Sequence, residues 1–183
     1  MPGTNPLPNV RPQPRAIPGL ARSTVVRRVP VLIAYAAAMG WLEGVVVVYL
    51  RALLGIVPGS SYPGGVETLE RMARQRWMIP VEQTREVATI VMLVAVAWLA
   101  GRGPRSRFGA FLVSFGVWDI VYYAALRTLI GWPPSLLTMD LLFLIPQHRW
   151  WYQPVAVPVA ISTLMIGWGL VLIRRDFRGP RAA

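Results

Sequence analysis

The length of its apolar runs is what most restricts how this chain can fold. Residues 31–57, VLIAYAAAMGWLEGVVVVYLRALLGIV, stand between Pro30 and Pro58 and hold one acid and one arginine. A helix of about 20 predominantly apolar residues crosses a bilayer core, so this run predicts a first span. Similar runs at 81–101, 108–132 and 154–173 predict three more. Pro80 suits the first turn of the second span and Gly101 its end, Pro133-Pro134 stop the third, and Pro158 is expected to bend the fourth. The segment 135–145, SLLTMDLLFLI, reaches about half a bilayer at ~1.5 Å per residue. It reads as a short re-entrant or interfacial helix closed by Pro146. The expected fold class is all-α: a polytopic membrane bundle of four transmembrane helices plus that short helix.

Composition agrees with the bilayer as solvent. Of 183 residues, 55% are hydrophobic, and the mean hydropathy is +0.47. A soluble domain of this size needs a more polar surface. The net charge of +11 would suggest nucleic acid in a soluble protein, but most of the arginines fall in tails and short loops beside the spans. A topological role accounts for them, and no nucleic-acid partner is expected. Arginines of the N-terminal tail, Arg102, Arg105 and Arg107, and Arg174, Arg175, Arg178 and Arg181 lie on one side of the predicted spans. Arg71, Arg74, Arg76 and Arg149 lie on the other, with Glu67 and Glu70 among them. The positive-inside rule then puts both termini in the cytoplasm. Trp77, Trp132, Trp150, Trp151 and Tyr152 fall at the expected outer interface, as an aromatic belt.

Three regions follow from this reading. Residues 1–29 form a Pro/Arg-rich cytoplasmic tail, 30–176 the transmembrane domain, and 177–183 a short basic C-terminal tail. The first tail is expected to be extended and without a core of its own. It is a poor signal peptide, because its basic region is long and the apolar run continues past Ala36-Ala37-Ala38.

Buried-looking acids give the strongest functional clue. Gly40-x-x-Glu43-x7-Arg51 in the first span recurs as Gly116-x-x-Asp119-x7-Arg127 in the third, at an offset of 76 residues. The same offset pairs Gly55 with Gly131, Pro58 with Pro134, and Arg102-Gly103-Pro104-Arg105 with Arg178-Gly179-Pro180-Arg181. A parallel two-helix repeat is one explanation, and arginine-rich punctuation after a helix is the other. An intramembrane carboxylate costs about 2.5 kcal/mol or more, so its presence calls for a function or a paired polar core. Ala36, Gly40, Glu43, Gly44, Val47 and Arg51 share one helical stripe, and Leu112, Gly116, Asp119, Tyr123 and Arg127 another. If the stripes face each other, Glu43 and Asp119 meet in a low dielectric and share a proton or cation.

The candidate proton or ion site therefore comprises Glu43, Glu86, Asp119 and Asp140, with Arg51, Arg85 and Arg127 as charge partners. The alternative is a structural network in which the acids pair with Arg85, Tyr122, Tyr123 or backbone. For Glu82 and Glu86, the helix N-terminus alone is a sufficient reason for acids. An oxygen-rich site would suit Ca²⁺, Mg²⁺ or Mn²⁺, yet no spacing amounts to a metal motif, and the identity of any metal stays open. No cysteine and a single histidine, His148, leave no set for haem, zinc or iron–sulfur ligation. Without a nucleophile motif or phosphate-binding loop, neither enzymatic activity nor a cofactor is expected.

Three segments carry a resemblance: REVATIVML at 85–93, FGVWDIVYY at 115–123, and GWPPSLLTMDLLFLIP at 131–146. Over roughly residues 40–170 the chain resembles an uncharacterised family of small multi-span bacterial inner-membrane proteins. The resemblance implies a membrane-embedded helical fold and no particular activity, and it leaves out the proline-rich tail. Two functional expectations result. One is an accessory subunit of a larger inner-membrane assembly, held through its tail to other membrane protein subunits. The other is a small proton- or cation-coupled transporter or channel using Glu43 and Asp119.

Overall fold

The structure is a computed structural model that describes residues 18–56, 65–145 and 149–178. Its elements in chain order are α1 (Pro18–Leu53), α2 (Gly65–Ala73), α3 (Met78–Ala100), α4 (Pro104–Ile130), β1 (Met139–Leu141), β2 (Tyr152–Pro154) and α5 (Ala156–Arg178). Four of the helices contain segments long and apolar enough to cross a membrane: Arg28–Leu53, Met78–Ala100, Pro104–Ile130 and Ala156–Asp176. Their outward faces fit that solvent. Leu42, Leu53, Leu99, Leu164 and Trp168 are all more than half exposed, an arrangement that water would penalise and lipid does not.

Helix ends follow local chemistry. Pro104 occupies the first turn of α4, where a missing N–H costs nothing. The Ser106 hydroxyl accepts hydrogen bonds from the backbone N–H groups of Arg102 (2.9 Å) and Gly103 (3.0 Å), which closes the turn from α3. Gly131 ends α4 with φ of 72°, a left-handed conformation that favours glycine. Pro30, expected to precede the first span, lies inside α1, which begins at Pro18 within the segment expected to be extended. Pro58, the expected end of that span, is outside the described residues, and α1 ends at Leu53.

The expected short helix at 135–145 is a correction. Residues 139–141 form a strand paired antiparallel with 152–154, in the register Met139↔Pro154, Asp140↔Gln153 and Leu141↔Tyr152. Residues 135–138 form a turn, with the Thr138 N–H donating to the Ser135 carbonyl at 3.1 Å. The segment instead satisfies its backbone by pairing with the chain before α5. The short amphipathic helix lies elsewhere, at α2, where Glu67 and Arg71 pair at 2.9 Å on an exposed face. Leu69 and Met72 turn inward against Leu54, Met78 and Leu144.

Helix α4 is the hub, with α1 and α5 packed on it closely and α3 on it less closely, while α3 touches α1 only lightly. Glycines set the two tight contacts. A Cβ on Gly40 would run into the Trp118 carbonyl of α4, and one on Gly116 into the Ser162 carbonyl of α5. The two stripes therefore do not face each other, since the α1 stripe meets α4 and the Gly116 stripe meets α5. The 76-residue correspondence does not extend to packing either. Trp132, expected in an interfacial belt, is buried at 3% exposure, whereas Trp77 and Trp150 are exposed.

Candidate functional site

The elements enclose a cavity of about 370 Å³ at the end of the bundle that carries α2 and the β1–β2 hairpin. Five of the chain's eight acids line it: Glu43, Glu82, Glu86, Asp119 and Asp140. Arg51 and Arg85 line it too, as do Trp118, Tyr122, Tyr123 and Trp132. Each of the five acids is 9% exposed or less. Glu43, Thr89 and Asp119 stand about ten residues from the ends of their helices, which places the floor of the cavity roughly 15 Å inside.

On the α3 side the acids are compensated. Arg85 donates through Nε to Glu82 Oε1 at 2.8 Å and also forms an ion pair with Glu43. The Thr89 hydroxyl donates to the other Glu43 oxygen at 2.5 Å. Glu86 accepts the backbone N–H of Leu144 with both oxygens, at 2.9 and 3.0 Å, and so ties the strand-end loop to α3. Gln83 adds a bond from Nε2 to the Leu144 carbonyl at 3.3 Å.

On the other wall the side-chain hydrogen-bond donors to the acids are neutral hydroxyls. Asp119 accepts from the Ser162 hydroxyl of α5 at 2.7 Å. Asp140 accepts from the Tyr123 hydroxyl at 2.9 Å. Burial pushes the Asp140 carboxyl up to about 6, opposed by that hydrogen bond and by the positive charge of Arg51. The Arg51 guanidinium lies 4.0 Å from the centre of the Trp132 ring, a cation–π contact that helps hold a buried cation. Trp118 is buried, and its indole N–H has no hydrogen-bond partner among the described residues.

The expected site residues thus separate into groups. Glu43, Glu86, Asp119 and Asp140 share one cavity, but Glu43 and Asp119 bind to different helices and not to each other. Arg85 meets two acids directly, and Arg51 sits near Asp140. Arg127 is a correction: it is exposed and donates to the carbonyls of Gly131 (2.8 Å) and Pro133 (3.0 Å), capping α4 and leaving the acids alone. His148 lies outside the described residues. Among the described residues no group of three or more His, Cys, Asp or Glu side chains is placed to hold a metal ion.

Thr89, Ser162 and Trp118 were missed as site residues. A signal for the first existed. Glu82, Glu86 and Thr89 recur at spacings of four and three along an apolar helix, which defines an inward polar stripe. Ser162 carries no such pattern and is identified only by the acid opposite it. Comparison with protein-family models, with curated proteins and with solved structures gives no match to this chain.

Proposed function

We propose that this chain is a small proton- or cation-coupled carrier or channel of the bacterial inner membrane, with both termini cytoplasmic and the acid-lined cavity as its binding site. One observation carries the reading: a space of about 370 Å³ among apolar helices, walled by five buried acids and two arginines. Intramembrane acids at this density mark proton and ion pathways. The two walls differ in a useful way. Glu43 and Glu82 already hold a cation in Arg85 and Asp140 has the charge of Arg51 near it, whereas the hydrogen-bond partner of Asp119 is the neutral Ser162 hydroxyl. Asp119 is the acid at which an incoming proton or cation adds charge balance. No covalent step is assigned to the site.

The accessory-subunit reading draws on the N-terminal tail, of which residues 1–17 lie outside the described residues. It remains the outcome if transport fails. Purified protein in liposomes is expected to show flux driven by a pH or cation gradient. Asp119→Asn should reduce that flux at least tenfold while leaving thermal stability near that of the parent protein, and Glu43→Gln should impair it. Absence of flux with protons and with monovalent and divalent cations, together with subunits that co-purify only when residues 1–17 are present, would establish the accessory role.

A further inference from the structure

A second hollow lies outside the cavity. A groove of about 450 Å³ runs between α1 and α3 and is lined by apolar side chains that include Val46, Tyr49, Leu53 and Val81. Tyr49, Leu53 and Val81 are more than half exposed, so the groove lies on a face that lipid would cover. Leu50, Glu82 and Arg85 belong to the linings of both hollows. These side chains stand between the groove and the cavity. Arg85 is the most mobile in kind of the three, a long side chain at 23% exposure.

We propose that the cavity takes the head group of a membrane-dissolved amphiphile bearing a protonated amine, whose hydrocarbon chain lies in the groove between α1 and α3. This rests on the binding-site reading above and names its ligand class. Size and charge together argue for it. The cavity is too large for a bare ion and within the range of small-ligand pockets. Its acids outnumber its arginines by five to two. A carboxylate or phosphate head group would meet that excess and be repelled, whereas an ammonium offsets it. The aromatic faces of Tyr122, Tyr123 and Trp118 on the same wall favour ammonium cations further. The unpaired Trp118 N–H supplies a donor for a hydroxyl or carbonyl next to the amine. Glu82, at the junction of the two hollows, keeps the amine next to a carboxylate as it leaves the head-group region. A small hydrated cation would have no use for the groove, and a neutral lipid none for the acids.

The test uses native mass spectrometry of the full-length protein in a non-ionic detergent, titrated with 1-dodecylamine, 1-dodecanol and methylamine. One saturable dodecylamine per chain is expected, with dodecanol and methylamine each at least tenfold weaker. Asp119→Asn and Asp140→Asn should each weaken dodecylamine at least tenfold, and Asp119→Glu, which keeps the charge, should recover most of the loss. Ala88→Trp places bulk in the groove from an exposed position and, in a variant whose thermal midpoint matches the parent's, should weaken dodecylamine at least fivefold. Equal binding of dodecanol overturns the charge argument. Equal binding of methylamine, or an Ala88→Trp variant with parental affinity, overturns the role of the groove. A dimer that Ala88→Trp splits and that takes up no amine puts a second copy in the groove and overturns the proposal. Ion flux without saturable dodecylamine binding sinks this inference and leaves the carrier reading standing. Binding without any flux does the reverse.

Discussion

Arg85 bonds to both Glu43 and Glu82 from a position on α3 whose neighbours along the helix surface are Val81, Glu82, Ala88 and Thr89. Removing one partner from a buried ion pair leaves an uncompensated charge, at a cost of about 3–5 kcal/mol. Arg85→Met should therefore lower the thermal midpoint by many degrees. Adding Glu43→Met to it should restore part of the loss, because two apolar partners fill the same space without charge. Losses that simply add would show that Arg85 and Glu43 do not interact. Asp140 gives a pH-dependent counterpart. Its carboxyl titrates at about 6 in the fold against 3.8 in the free chain, so the folded protein binds the extra proton between about pH 4 and pH 6. Stability from this group is complete below that window and falls as pH rises through it. Asp140→Asn should flatten the melting profile across pH 4–7 and raise stability at neutral pH on the order of 2–3 kcal/mol. A variant whose profile keeps the parental slope would assign that slope to other groups.

At the scale of elements, the close approach of α4 to α5 depends on Gly116 and on the pair Gly109 and Gly169, whose added Cβ atoms would each meet the facing backbone. Gly116→Leu overfills this contact and should destabilise by about 1–3 kcal/mol or more, read as a lower thermal midpoint. An unchanged midpoint would mean that the helices sit farther apart than described. The elements also show which features of the fold were legible from sequence. Apolar length fixes helices, and each of the four expected spans falls largely within a long helix, because one property of about 20 consecutive residues decides each, although α1 begins at Pro18, well before the expected start. The hairpin was not legible. SLLTMDLLFLI alternates no better as a strand than as a helix, and its partner, Tyr152–Pro154, is short and lies farther along the chain. Stripe direction was half legible: Gly40 and Gly116 were rightly expected at helix contacts, but a stripe does not state which neighbour it meets. The acids could be located in sequence, and Arg85 and Tyr123 were among the partners it offered, whereas Ser162 became a partner only through packing.

Across the whole molecule, α1, α4 and α5 are joined by backbone-close glycine contacts, while α3 is attached through polar side chains and a few apolar ones such as Met78, Leu93 and Ala97, and is the least buried of the four long helices. The chain lacks cysteine, so paired spin labels can be placed cleanly at introduced cysteines. Labels at the exposed Thr84 and Thr128 should give a broader distance distribution than labels at Thr128 and Thr163, and dodecylamine should shift the first pair more than the second. Equal widths, unmoved by the amine, would mean that α3 is as fixed as α5. The bonds of Glu86 to the Leu144 N–H give this difference a mechanical meaning. Through these bonds a tilt of α3 would carry Leu144 and the strand end with it, so that disturbance on the helix is felt at the hairpin.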